Sequence, residues 1–297
     1  MATAHPLAIN PLPWILTPSG YDLSVAVLST AMTELAAVGF DHLTVEIPSE
    51  LSAAEYRRLL DEHDFQPAPG YFSGAFADRA QHPALIEGIR RHAAAHAELG
   101  LDRAFIAHDL TPERIAAPAI GANADDALLP VIADGLASAA GAAAAEGVHY
   151  ALHPHVGSLV EVEAEIRTVL DLTAGSALGF GPDTGHLAWA GSDPVRMIAD
   201  YADRVLSVHL KDIDPAAVTV SRDAGDDYFA ATIGRHIWRE PGRGSVDFIG
   251  VLDALPATFD GWYVIEVDVP DAGTASESSA ASLRYLESLP TFAGVPA

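Results

Sequence analysis

The sequence contains no cysteine, which excludes disulfides, thiolate metal ligands and cysteine nucleophiles together. Any metal must therefore be held by histidine and carboxylate. No stretch of about 18 residues is apolar throughout, so no transmembrane helix is expected. Basic residues are scarce: 16 Lys+Arg stand against 41 Asp+Glu, a formal net charge of −25. A surface this acidic repels phosphate backbones and anionic membranes, so neither nucleic acid nor a membrane is expected as a partner. The opening stretch "MATAHPLAINPLPWILTPSG" has no basic leader, and prolines break its apolar residues. It does not read as a secretory signal, and a cytoplasmic location is expected.

What is present is alternation. Apolar, β-rich runs ("PLAINPLPWI", "DHLTVEIP", "QPAPGYFSG", "DRAFIAHDL", "VHYALHPHV", "ALGFGPDTGH", "RVLSVHLKD", "GWYVIEVDV") are separated by stretches of helical period. Helices are predicted over 24–38, 51–63, 83–99, 125–146, 161–172, 194–202, 246–258 and 274–289. Gly39, Gly100 and Gly147 stand where helix C-caps belong, and Asp193–Pro194 reads as an N-cap followed by a first-turn proline. Eight β–α units in one chain predict an α/β fold with parallel strands and right-handed crossovers, closed as a single-domain (β/α)8 TIM barrel over 1–297. No GxGxxG follows the first strand, which weakens a nucleotide-binding open sheet. The alanine tract "ASAAGAAAAEG" reads as helix. From about Pro215 to Ser245 the sequence predicts a long irregular segment on the C-terminal rim, the face that carries active sites in such barrels.

Chemistry collects at that rim. The stretch "ALHPHVGS" puts His153 and His155 two residues apart at the end of the fifth strand, where an extended chain would turn both imidazoles to one face. Asp183 and His186 end the sixth strand, His209 the seventh and Glu266 the eighth. A lone strand-end histidine is more often structural than a ligand, and "DTGH" alone could be a helix-capping turn. Four neighbouring strands bringing ionisable groups to one rim point instead to a divalent ion, with Mn²⁺ or Co²⁺ ahead of Mg²⁺, Zn²⁺ or Fe²⁺. Such an ion would polarise a sugar carbonyl and stabilise the enediolate formed when a base removes the adjacent proton. Lys211 shares a face with His209 and could meet an oxyanion, whereas Asp212 should point away. Glu46, His108, Asp109, Trp14 and Trp189, all near strand ends, are candidates for substrate contact.

At these residues the sequence resembles the sugar phosphate isomerase/epimerase family of xylose isomerase-like barrels, and more narrowly its inosose dehydratase-like branch. The resemblance is carried by "AINPLPW", "HPHVGS", "PDTGHLAWAGSDP", "RVLSVHLKDID", "GRGSVDF" and "GWYVIEVD", spread over almost the whole chain. It implies one divalent ion at the rim, with Asp183, His209 and Glu266 matching the family's metal positions and His186 a substrate-contacting histidine. The sequence departs at the fifth strand, where isomerases and epimerases commonly carry a glutamate ligand. Here "HPH" implies His155 as ligand and His153 as proton-transfer residue, although the spacing permits the reverse, with Glu266 returning the proton.

The expected activity is a metal-dependent lyase acting on a keto-sugar or keto-cyclitol, with dehydration of an inosose as the named reaction. Its rivals are an aldose–ketose isomerase or ketose 3-epimerase, and a lyase subunit that cleaves 3-keto-glycosides. An abasic-site endonuclease shares the barrel but would want several zinc ions and a basic groove, and a barrel used for binding alone would hold no stoichiometric metal. The family resemblance also leaves room for a homo-oligomer or a second subunit.

Overall fold

The apolar runs form parallel strands that close on themselves. A computed structural model describes residues 7–17, 20–271 and 273–293. The barrel strands are β1 (Leu7–Ile9), β2 (His42–Thr44), β3 in two pieces (Gln66–Ala68 and Tyr71–Gly74), β4 (Arg103–His108), β5 (His149–Leu152), β6 (Gly179–Phe180), β7 (Ser207–Leu210) and β8 (Trp262–Ile265). Pro6, which opens the predicted first strand, lies outside the described residues. Pairing runs β8–β1–β2–β3 and β3–β4–β5–β6, all parallel. Bridges Phe180↔Val205 and Asp183↔His209 tie β6 to the β7 segment, and β7 pairs with β8, completing the circuit.

The break in β3 has a physical cause. A Cβ at Gly70 would lie 2.5 Å from the Val45 carbonyl oxygen and 2.9 Å from His96 Nε2. The Gly70 N–H instead donates to that nitrogen at 3.1 Å, bending the strand toward a helix residue.

Each barrel strand is followed by its helix: α1 (Val25–Val38), α2 (Ala53–Glu62), α3 (His82–Glu98), α4 (Leu129–Ala144), α5 (Glu163–Leu172), α6 (Pro194–Asp200), α7 (Phe248–Ala254) and α8 (Ala275–Glu287). Their starts follow local chemistry. Ser52 and Thr274 form capping boxes with Glu55 and Glu277, and the Asp193 side chain accepts from the N–H groups of Val195 and Arg196. Gly39 ends α1 in the left-handed region at φ 113°. The alanine tract is helical, as predicted, and buries Ala133, Ala139, Ala140 and Ala143 along α4. Inside the barrel, Phe105 fills the axis among Ala8, Ala68, Ala151 and Val264. A Cβ at Gly181 would come within 2.7 Å of its ring.

Two expectations need correction. The segment 215–245 is not irregular: it holds a helix over Pro215–Ala224, a π-helix over Ala230–Gly234, and an antiparallel ribbon pairing Asp212–Ile213 with Trp238–Arg239. Asp214–Pro215 carries the same N-cap and proline signal that marked Asp193–Pro194, so this helix was legible. Asp212 does turn from the barrel axis, and its carboxylate accepts the N–H groups of Gly242, Gly244 and Val246 at 2.8–2.9 Å, closing the segment over the rim. Second, β6 ends at Phe180, so Asp183 is the N-cap of a short helix, Thr184–Trp189, which carries His186. Likewise β5 stops at Leu152, placing His153 and His155 on the turn beyond it.

Candidate active site

The C-terminal ends of β5 to β8 bring His153, Asp183, His209 and Glu266 together beneath the rim, each at most 5% exposed. Phe105 forms the floor, its ring 4.3 Å from that of His209 and 5.6 Å from that of His153. Asp183 Oδ2 lies 3.7 Å from His209 Nδ1 and 3.9 Å from His153 Nε2, and His209 Nδ1 lies 3.1 Å from Glu266 Oε2. The other Asp183 oxygen accepts the His186 N–H at 2.8 Å, which fixes the carboxylate.

This cluster suits a cation. Asp183 Oδ2, both His209 ring nitrogens and His153 Nδ1 are buried without a hydrogen-bond partner. Orphaned buried polar atoms cost free energy unless something satisfies them. Ligand atoms of Asp183, His209 and Glu266 lie within 4.8 Å of one another, as do those of His153, Asp183 and His186. Burial, opposed mainly by Lys211, leaves the Asp183 carboxyl above its ordinary range. Burial also holds His153 and His186 well below theirs, aided by neighbouring imidazoles, so both offer neutral nitrogens.

Lys211 lies behind the cluster rather than in the cavity. Its Nζ is buried between Glu266 Oε1 at 2.7 Å and Asp268 Oδ1 at 2.5 Å, over the Trp238 face at 4.2 Å. Burial alone would lower its pKa, but Asp268, Glu266 and Asp183 hold it well above the ordinary value. Burial likewise pushes Glu266 up, and Lys211 and His209 outweigh it, so that carboxylate stays ionised. Asn10, at the end of β1, donates to the other Glu266 oxygen at 2.7 Å.

A cavity of ≈ 390 Å³ opens above these groups, lined on its polar side by His153, His155, His209, Glu266, Asp268, Glu46, Asp109 and His108. His155 Nδ1 bonds the Val156 carbonyl at 2.7 Å, which makes Nδ1 the protonated nitrogen and Nε2 the free base. Burial, then Lys211, lowers its pKa to about 4. Burial and then the Glu266 charge push the Glu46 carboxyl up to about 7. His108 has both ring nitrogens engaged by backbone, Nδ1 with Asp109 O at 2.7 Å and Nε2 with the Ala77 N–H at 3.2 Å.

Of the sequence-predicted residues, the donor-atom clusters take in His153, Asp183, His186, His209 and Glu266, and not His155. Glu46, His108 and His155 face the cavity; His186 is buried against His155 with ring centroids 3.8 Å apart. Trp14 does not reach the cavity: its indole N–H donates to Glu34 of α1 at 3.0 Å, and Trp189 packs edge-on against Trp238. Asn10, Tyr71 and Tyr228 were not singled out, although Asn10 ends a strand and Tyr228 lies in the segment expected at the rim.

Among the described residues, no helix is long and apolar enough to cross a membrane. Over 88% of its length the chain is 28% identical to the rhizopine catabolism protein MocC of Rhizobium meliloti, covering 81% of that protein. It is 24% identical to an inosose dehydratase of Geobacillus kaustophilus, over 85% of this chain and 89% of the other. A xylose isomerase-like TIM barrel protein of Mycobacterium smegmatis, solved in complex with magnesium, superposes with a TM-score of 0.69 at 18% identity, covering 98% of each chain. The IOLI protein, solved with a bound zinc atom, superposes at 0.68 and 16% identity over 98% of this chain and 99% of that one. The family model described as xylose isomerase-like TIM barrel matches residues 32–289, and the chain belongs to that family.

Proposed function

We propose that the protein is a divalent-metal-dependent lyase that dehydrates an inosose or a related keto-cyclitol or keto-sugar. One observation carries this reading: buried, partnerless donor atoms of Asp183 and His209, with His153 Nε2 and Glu266 beside them, gather at the base of a cavity lined by His153, His209 and Glu266, whose wall also presents His155 with its Nε2 free. His153, Asp183, His209 and Glu266 would hold the ion. The nitrogen and oxygen donor set, without thiolate, suits Mn²⁺, Co²⁺, Mg²⁺, Zn²⁺ or Fe²⁺. When bound, the ion supplies Lewis-acid polarisation of the substrate carbonyl.

The rest is the work of the chain's own groups. His155 Nε2 takes the proton α to the carbonyl, and the released electron pair forms the new double bond as the β-hydroxyl leaves. That hydroxyl needs a proton to depart as water. Glu46, in β2's extension and thus three strands around the barrel from His155, has its carboxyl raised toward neutrality and is placed to give it. Glu266, kept ionised by Lys211, is the poorer acid, and Lys211 acts by orienting Glu266. The sequence reading had His155 as ligand and His153 as base; the cavity geometry favours exchanging those roles. The inosose dehydratase of Geobacillus kaustophilus, 24% identical, supports the substrate class.

The test is metal analysis of purified protein, then incubation of Mn²⁺- or Co²⁺-loaded protein with an inosose while following enone absorbance. Growth of that band supports the reading. Bound metal with no product from an inosose, but with conversion of a ketose to its 3-epimer, would replace it with the epimerase alternative.

A further inference from the structure

The cavity changes character from floor to mouth. His153, His209 and Glu266 at its base are 2, 3 and 5% exposed, while Tyr21, Leu110, Phe229 and Ile233 on its wall are 70, 37, 48 and 43% exposed. Only four other large apolar side chains among the described residues are as open to solvent: Ile120, Leu172, Val220 and Ile249. Half of the exposed large hydrophobics thus gather around one opening. They arrive from separate places, the short Gly20–Tyr21 strand that pairs with Leu16–Thr17, the connection beyond β4, and the π-helix region of 229–233.

Aromatic rings continue from the chemistry outward. The His155 and Tyr228 rings stack at 5.9 Å and 29°, and Tyr228 meets Phe229 edge-on at 5.5 Å. Two of the polar side chains on this wall are already used: Thr232 Oγ1 donates to the Tyr228 carbonyl at 2.8 Å, and both His108 nitrogens bond backbone. A bare polyol set against Leu110, Phe229 and Ile233 would turn hydroxyls toward carbon and lose hydrogen bonds to water.

We propose that the natural substrate is a keto-sugar or keto-cyclitol bearing a large apolar substituent, an aryl group, and that Tyr21, Leu110, Phe229 and Ile233 select it. The inference rests on the floor being the site for the keto ring. A small-molecule substituent fits the mouth better than a protein does. The apolar residues surround a concave space of ≈ 390 Å³ continuous with the catalytic groups. That is within the size of ligand pockets, about 300–1,000 Å³, whereas a stable protein interface buries about 1,200 Å² or more. Flat rings also pair favourably with the Tyr228–Phe229 edge-to-face arrangement.

The test separates binding from turnover. Calorimetric titration of the metal-loaded full chain with phenyl β-glucoside and methyl β-glucoside should show at least tenfold tighter binding of the phenyl compound. Phe229→Ala and Ile233→Ala should each reduce that ratio severalfold, while Leu172→Ala, remote from the cavity, leaves it unchanged. Equal affinities, no binding of either glycoside, or a phenyl preference that survives both variants would overturn the proposal. The 3-keto forms of both glycosides and an inosose are then assayed for turnover. A phenyl preference in binding without conversion of any keto compound keeps the selecting mouth and removes the lyase reading. Conversion of the inosose without a phenyl preference does the opposite.

Discussion

Lys211 and Glu266 form a buried ion pair, Nζ to Oε1 at 2.7 Å, and the same Glu266 side chain borders the candidate metal cluster through its other oxygen. The pair explains how a carboxylate can remain charged in so dry a place. Removing one partner of a buried pair leaves the other unpaired, at a cost of about 3–5 kcal/mol. Lys211→Met is therefore expected to lower the unfolding midpoint in urea and to weaken metal binding, since the Glu266 carboxyl would rise toward protonation. An unchanged midpoint and unchanged metal affinity would show that Lys211 holds nothing in place.

The exchanged histidine roles give opposite signatures. His153→Ala should lower metal stoichiometry, while His155→Ala keeps the metal and loses turnover by about 10²–10⁴-fold, the usual range for a general base. Elemental analysis beside the enone assay reads both. Metal lost from the His155 variant and retained by the His153 variant would restore the assignment expected from the sequence.

Asp183→Ala and His209→Ala should abolish metal binding and activity with far-ultraviolet circular dichroism unchanged. Chelation of the unaltered protein should reversibly lower its thermal midpoint, because a ligand that binds only the folded state at 100 times its Kd adds about 2.7 kcal/mol. Full metal occupancy in either variant would remove that residue from the site.

Glu46 should impose an alkaline limb on turnover. Its carboxyl, raised to about 7, is the acid only while protonated, so activity falls as pH rises through that value. Glu46→Gln should abolish the limb and slow dehydration. A pH–rate profile whose alkaline side is the same in both proteins would exclude Glu46 as the proton donor.

Acid should loosen the fold at the break in β3. His96 donates through Nδ1 to the His92 carbonyl at 3.0 Å and accepts the Gly70 N–H through Nε2 at 3.1 Å, so it must be neutral to hold the β3 break. Burial lowers its pKa from 6.5 to about 4. The unfolded chain therefore binds the proton first: this contribution is complete above about 6.5 and is lost as pH falls toward 4, a few kcal/mol in all. Urea midpoints at pH 7 and pH 5 should differ less in His96→Gln than in the unaltered chain; an equal pH dependence would acquit His96.

The sequence by itself determined the barrel and pointed to the rim on which its candidate site lies. Eight apolar runs with intervening helical periods admit few closures, and a strand end is a local property, so Asp183, His209 and Glu266 could be placed on one rim without coordinates. The helix over Pro215–Ala224 was equally local, and was missed although Asp214–Pro215 announced it. Other features only the tertiary structure decided, because they depend on groups far apart in the chain meeting in a dry interior. Lys211 looked like an oxyanion donor from its place two residues beyond His209, but pairing with Glu266 and Asp268 withdraws it. Spacing could not separate His153 from His155, since β5 ends before both and the turn sets one ring beside Asp183 and stacks the other on Tyr228. The apolar mouth likewise exists only where distant segments converge, and no single stretch of sequence carries it.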